Sequence, residues 1–145
     1  MGMYLNLGNA GFTSIRKGLY VDKTGLISIV NASLGTADKL ICVSRPRRFG
    51  KSFAAKMLCA YYDKSCDSKS LFEGLEIAQD PSFEEHLNRH DVIYLDITWF
   101  ISICEKGRNV VEYIQEQVID ELKSIYPFLN KIISLPLALS KISEH

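Results

Sequence analysis

Residues 40–52 read Leu40-Ile41-Cys42-Val43-Ser44-Arg45-Pro46-Arg47-Arg48-Phe49-Gly50-Lys51-Ser52. A short apolar run meets a basic loop, and the loop opens onto Gly-Lys-Ser. Beyond it Phe53, Ala54, Met57, Leu58 and Tyr61 recur at helical spacing. The pattern predicts strand, loop and helix, with the helix beginning at Lys51. A helix start leaves amide N–H groups without partners and carries the positive end of the helix dipole, so an anion is favoured there. The phosphate loop G-x-x-x-x-G-K-[ST] has this layout. Gly50, Lys51 and Ser52 are in place, whereas Arg45 stands where the first glycine belongs and Pro46 follows it. Arg45 gives up glycine's ready access to positive φ, and Pro46 removes an N–H donor. In exchange the loop gains Arg45, Arg47 and Arg48, whose guanidinium groups pair phosphate oxygens two at a time. A bare tripeptide of this kind also fits a basic surface turn; the apolar run before it and the amphipathic stretch after it favour phosphate binding.

Further segments line up with this one. Tyr20-Val21-Asp22-Lys23-Thr24-Gly25-Leu26-Ile27 precedes the loop. Met57-Leu58, Tyr61-Tyr62, Leu71-Phe72-Glu73-Gly74-Leu75 and Asp91-Val92-Ile93-Tyr94-Leu95-Asp96 follow it. In this order they resemble the AAA-ATPase-like domain, a bacterial and archaeal P-loop family often joined to a C-terminal PD-(D/E)XK nuclease-like domain. The resemblance is close over roughly residues 5–100, and the Arg-Pro-Arg-Arg-Phe-Gly-Lys entrance is the family's own.

The resemblance implies an α/β fold, a P-loop NTPase-like three-layer sandwich, with ATP and Mg2+ as cofactors and ATP hydrolysis in the complete family. The first strand, the P-loop, the following helix and a second strand over residues 92–97 are expected here, and the Walker B strand is expected to be missing. The cofactor-binding residues are then Arg45, Pro46, Arg47, Arg48, Phe49, Gly50, Lys51 and Ser52. Amides around Gly50 face the β-phosphate, Lys51 reaches the β- and γ-phosphates, and the Ser52 hydroxyl sits on Mg2+. Asp96 is read either as a second Mg2+ carboxylate or as a strand-end cap, since the family carries its Walker B carboxylates as Asp-Glu-x-Asp on a later strand. No catalytic residue is assigned, because no carboxylate stands out to orient a water. Asp22 and Lys23 are read as a cap and a solvated charge within a family hallmark.

The expected organisation is a lead-in over residues 1–35, the P-loop half of an ATPase core over 36–100, and a C-terminally truncated helical segment over 101–145. A nucleotide is the expected partner, with a protein partner supplying missing core strands. Two other classes stay open: a nucleic-acid-binding module using Arg45, Arg47, Arg48 and Lys51 on backbone phosphates, and an inert fragment or assembly subunit without ligand.

Seventeen basic and 17 acidic side chains leave no global field, so any anion site is local, and residues 45–51 form the dense basic cluster. Hydrophobic residues make up 47% of the 145, enough for one globular domain with a core. Cys42, Cys59, Cys66 and Cys104 show no C-x-x-C spacing, which argues against a zinc site or a disulfide framework. Cys42 and Cys59 fall in expected core elements. The first residues lack a signal peptide's basic and apolar regions, and no window reaches the roughly 20 apolar residues of a membrane span, so a cytoplasmic protein is expected.

Residues 1–19 read as irregular. Asp22 or Thr24 is expected to cap a helix to about Asn31, and Ser70 to Glu73 has capping-box spacing. Asp80-Pro81 opens a helix over 81–88. His86 and His90 are spaced i, i+4; with nothing to complete a metal site they read as surface histidines. Val111, Ile114, Val118, Leu122 and Ile125 step by three and four, predicting a helix over 109–126 ended at Pro127. The remainder is expected to form one or two short helices interrupted at Pro136.

Overall fold

A computed structural model of the chain describes residues 2–145. Its regular structure is helical. Among the described residues no sheet forms, and β-pairing is limited to two isolated bridges, Leu5 with Ile93 antiparallel and Asp63 with His90 parallel. The expected α/β three-layer sandwich is therefore corrected to a helical fold. The reason lies in the two apolar runs. A strand is stable only when a neighbour takes its backbone hydrogen bonds. Residues 39–45 form no regular structure and, among the described residues, make no backbone–backbone hydrogen bond, with Leu40 92% exposed. The run 92–97 splits, with Ile93 in its single bridge and Ile97 already the first residue of a helix.

The chain divides into two compact units, Asn6–Val92 and Gly2–Leu5 with Ile93–His145. The first contains α1 (Ala10–Arg16), α2 (Gly25–Ser33), α3 (Lys51–Tyr62), α4 (Lys69–Phe72), a 3-10 turn at Glu76–Gln79 and α5 (Phe83–His86). Its core holds Phe12, Ile27, Met57, Tyr61, Phe72 and Ile77, all within 1% of full burial. Phe12 stacks on Phe72 at 5.0 Å, and Tyr61 meets Phe72 edge-on at 5.5 Å, both favoured aromatic arrangements. Helix α1 was not foreseen in the stretch read as irregular, yet Phe12 makes it a core element packed on α3.

Buried polar groups here have partners. The Asn31 amide donates to Tyr61 Oη and Ser82 Oγ, and its carbonyl accepts from Tyr62 Oη. Burial pushes the Tyr62 phenol well above its ordinary value. Asp63 accepts from the Gly8 and Ser65 amides, which fixes the chain ahead of α1 to the end of α3.

The second unit contains α6 (Ile97–Ile103), α7 (Val110–Ile125), a 3-10 turn at Pro127–Leu129 and α8 (Leu135–Ser143). Ile114, Val118 and Leu122 bury one face of α7 in a cluster with Phe100, Leu129 and Ala138. The ends of the expected stripe, Val111 and Ile125, are exposed instead. Pro136 lies in the first turn of α8, where its missing N–H costs nothing, so it starts that helix rather than interrupting one. The Glu121 carboxylate accepts from the Tyr4 and Leu5 amides, each at 2.9 Å, and so anchors residues 2–5 in this unit.

Candidate functional site

Helix α3 begins where the sequence places it. Gly50 is its N-cap in the left-handed region at φ 79°, a conformation that glycine adopts without cost. The first i→i−4 bond of the helix runs from Ala54 N to Gly50 O. The amides of Lys51, Ser52 and Phe53 thus precede the ladder, at the positive end of a 12-residue helix. Arg48 also takes positive φ, at 67°, so the loop doubles back just ahead of the helix.

Side chains around this turn are mostly cationic. Arg45, Arg47, Arg48, Lys51 and Ser52 are exposed and Gly50 is half-buried. The Lys51 ammonium donates to the Arg45 carbonyl, closing the loop on itself. A second ammonium arrives from outside the motif: Lys23 Nζ donates to the Phe49 carbonyl at 2.8 Å, and a Cβ on Gly50 would come within 3.2 Å of it. Among the described residues, none of Lys23, Arg45, Arg47, Arg48 and Lys51 is paired with a carboxylate. Five positive charges surround one backbone turn, with no acid among them. Arg45, Lys51 and Lys23 line one hollow of about 460 Å³, and Arg47, Arg48 and Ser52 line another of about 380 Å³; Gly50 belongs to both.

A family model described as Predicted AAA-ATPase matches residues 6–139. The chain belongs to the AAA-ATPase-like family. No curated protein and no solved structure matches it.

Within this AAA-ATPase-like chain the structure sorts the Val21-Asp22-Lys23-Thr24 hallmark into two jobs. Asp22 accepts from the Thr24 amide, the Thr24 hydroxyl and the Glu76 amide. The buried Thr24 hydroxyl in turn accepts from Ile77 N. Asp22 and Thr24 therefore pin the 3-10 turn at Glu76–Gln79 to the start of α2, and neither side chain caps α2 as expected. Lys23, between them, reaches the Phe49 carbonyl in the loop ahead of α3. The reading of Lys23 as a solvated charge agrees with its exposure, and what the sequence did not signal is its bond to the Phe49 carbonyl.

Asp96 lies in the second unit, where its carboxylate accepts from Trp99 N and caps α6. His86 and His90 are half-buried rather than on the surface. Their ring nitrogens Nδ1 and Nε2 lie 3.1 Å apart. No group of three or more metal-ligating side chains occurs among the described residues. Cys42 is exposed instead of in a core element, while Cys59 is buried and its thiol is pushed up to about 11 by burial. No helix among the described residues is long and apolar enough to cross a membrane.

Proposed function

We propose that the loop over residues 45–52 binds the phosphates of a nucleotide, ATP by family membership, together with Mg2+. The supporting observation is the set of five cations without carboxylate partners around Gly50 at the start of α3. The donor set fits a triphosphate: amides of the first helical turn, two ammonium groups and three guanidinium groups, all suited to phosphate oxygens. Ser52 fits Mg2+, which takes few protein oxygens and fills the rest of its shell with water and phosphate. When bound, Mg2+ neutralises charge on the β- and γ-phosphates.

The chain's own part is to hold and orient. Lys51 leaves the Arg45 carbonyl for the β- and γ-phosphates, while Lys23 keeps the Phe49 carbonyl in place and adds charge beside Gly50. Arg47 and Arg48 extend the positive wall. None of the residues lining the hollows around Gly50 is a carboxylate, so the function proposed is binding, with no water-activating group assigned.

A thermal melt with and without MgATP tests this. Ligand at a hundredfold excess over Kd stabilises a protein by about 2.7 kcal/mol. Lys51→Ala should abolish that shift while leaving the unliganded melt unchanged, because Lys51 is exposed. A shift that survives in Lys51→Ala places the ligand elsewhere. The exposed Arg45, Arg47 and Arg48 also suit the backbone of a nucleic acid. That reading requires binding to single or double strands whose log affinity falls steeply with log salt and that MgATP does not displace.

A further inference from the structure

Helix α5 ends at His86, and the chain then reverses. Leu87 leaves the helix at ψ 118°, and Asn88 takes positive φ, at 54°, a conformation that asparagine adopts more readily than most side chains. The reversal is pinned to the end of α3. Asn88 N and His90 N donate to the Tyr61 and Tyr62 carbonyls, and Lys64 N donates to the His90 carbonyl. The Asn88 side-chain amide donates to the carbonyls of Ala60 and Asp63. His90 is therefore placed by α3, not by a continuation of α5, and its ring lies edge-on to the buried Tyr62 at 5.5 Å. That placement brings His90 Nε2 to 3.1 Å from His86 Nδ1.

Two nitrogens at that separation suit a chelate. Zn–N bonds of about 2.0–2.1 Å to atoms 3.1 Å apart meet at roughly 100°, between the octahedral and tetrahedral angles. The second ring nitrogen of His86, Nε2, lies 3.7 Å from the Glu85 carboxylate. Ligating histidines commonly turn that nitrogen to a carboxylate, which keeps the proton there and leaves the first nitrogen's lone pair free. The His86 side chain is 19% exposed, so an ion has a way in. We propose that His86 Nδ1 and His90 Nε2 together hold a divalent transition metal ion of zinc's class, with water completing its shell. Imidazole suits Zn2+, Cu2+ and Ni2+, whereas Mg2+ and Ca2+ take oxygen. Without the ion the two nitrogens share one hydrogen bond, His90 donating to His86. With it His90 carries its proton on Nδ1, both lone pairs turn to the metal, and the end of α5 is tied to the end of α3.

Nitrogen-15 NMR of the histidine rings in the unaltered full chain, titrated with Zn2+, tests this without any substitution. A single equivalent should move the His86 Nδ1 and His90 Nε2 resonances together and saturably, with protons left on His86 Nε2 and His90 Nδ1. Zn2+ that moves neither nitrogen, or only one of the two, overturns the proposal; binding held by Cys42, Cys66 or Cys104 alone gives that result. Calorimetry adds the energetics. Glu85→Gln, at an exposed position, should weaken Zn2+ by roughly 10–100-fold, the usual effect of losing an outer carboxylate. His86→Gln and His90→Gln should each weaken it further than that. Affinity unchanged in either histidine variant also overturns the site.

Discussion

Around Asp22 three donors converge: the amide and hydroxyl of Thr24 and the amide of Glu76, all within 2.9 Å. Burial works against the charge, but these hydrogen bonds outweigh it and hold the carboxyl below its ordinary value of 3.8. A carboxyl depressed by folding contributes stability that is present above the unfolded value and is lost as pH falls through the folded one. Asp22→Asn should therefore lower the urea midpoint at neutral pH, and the gap to the unaltered chain should close below about pH 4. A gap that stays constant down to pH 2 would mean that charge is irrelevant at this position. The same few residues mark what a sequence reveals. Gly50 was legible as the residue ahead of α3 because a left-handed φ favours glycine. Lys23 was not, because its role depends on a carbonyl 26 positions away.

Helix α7 is the element whose start is most plainly written. Asn109 Oδ1 accepts from the Val111 and Glu112 amides, two of the donors that a helix start leaves unpaired. Asn109→Ala should cost about 0.5–2 kcal/mol, read as a lower denaturation midpoint, while Asn109→Ser or Asn109→Asp should recover most of it. Helices α3 and α7 were foreseen because each couples an apolar stripe to clear punctuation, glycine before one and Pro127 after the other. Helix α1 escaped because it spans only seven residues among glycines at 8, 11 and 18, and its single decisive contact, Phe12 on Phe72, is long-range. The two apolar runs misled for the opposite reason. Residues 40–44 and 92–97 have strand composition, but pairing is a property of two segments. Asp96, beginning a turn of helix with Trp99 N, diverts the second run before it extends.

At the scale of the molecule, charge is balanced overall yet concentrated at one turn, and apolar surface is left uncovered nearby. Leu40, Ile41 and Val43 are 92%, 40% and 45% exposed in an irregular segment that, among the described residues, makes no backbone–backbone hydrogen bond. Such a segment is a template for another chain. Sedimentation velocity should show mass rising with concentration, and the double change Ile41→Lys with Val43→Lys should hold the protein monomeric; a monomer at all concentrations in the unaltered chain contradicts this. The tether of Lys51 to the carbonyl six residues behind it carries a last consequence. An incoming anion must outbid a rival already seated within the polypeptide, so measured affinity is the difference between two grips. On the proposed phosphate-binding reading, a lone orthophosphate should lose that contest where a chain of three phosphates wins it, a selectivity for anion length with no side chain acting as a ruler.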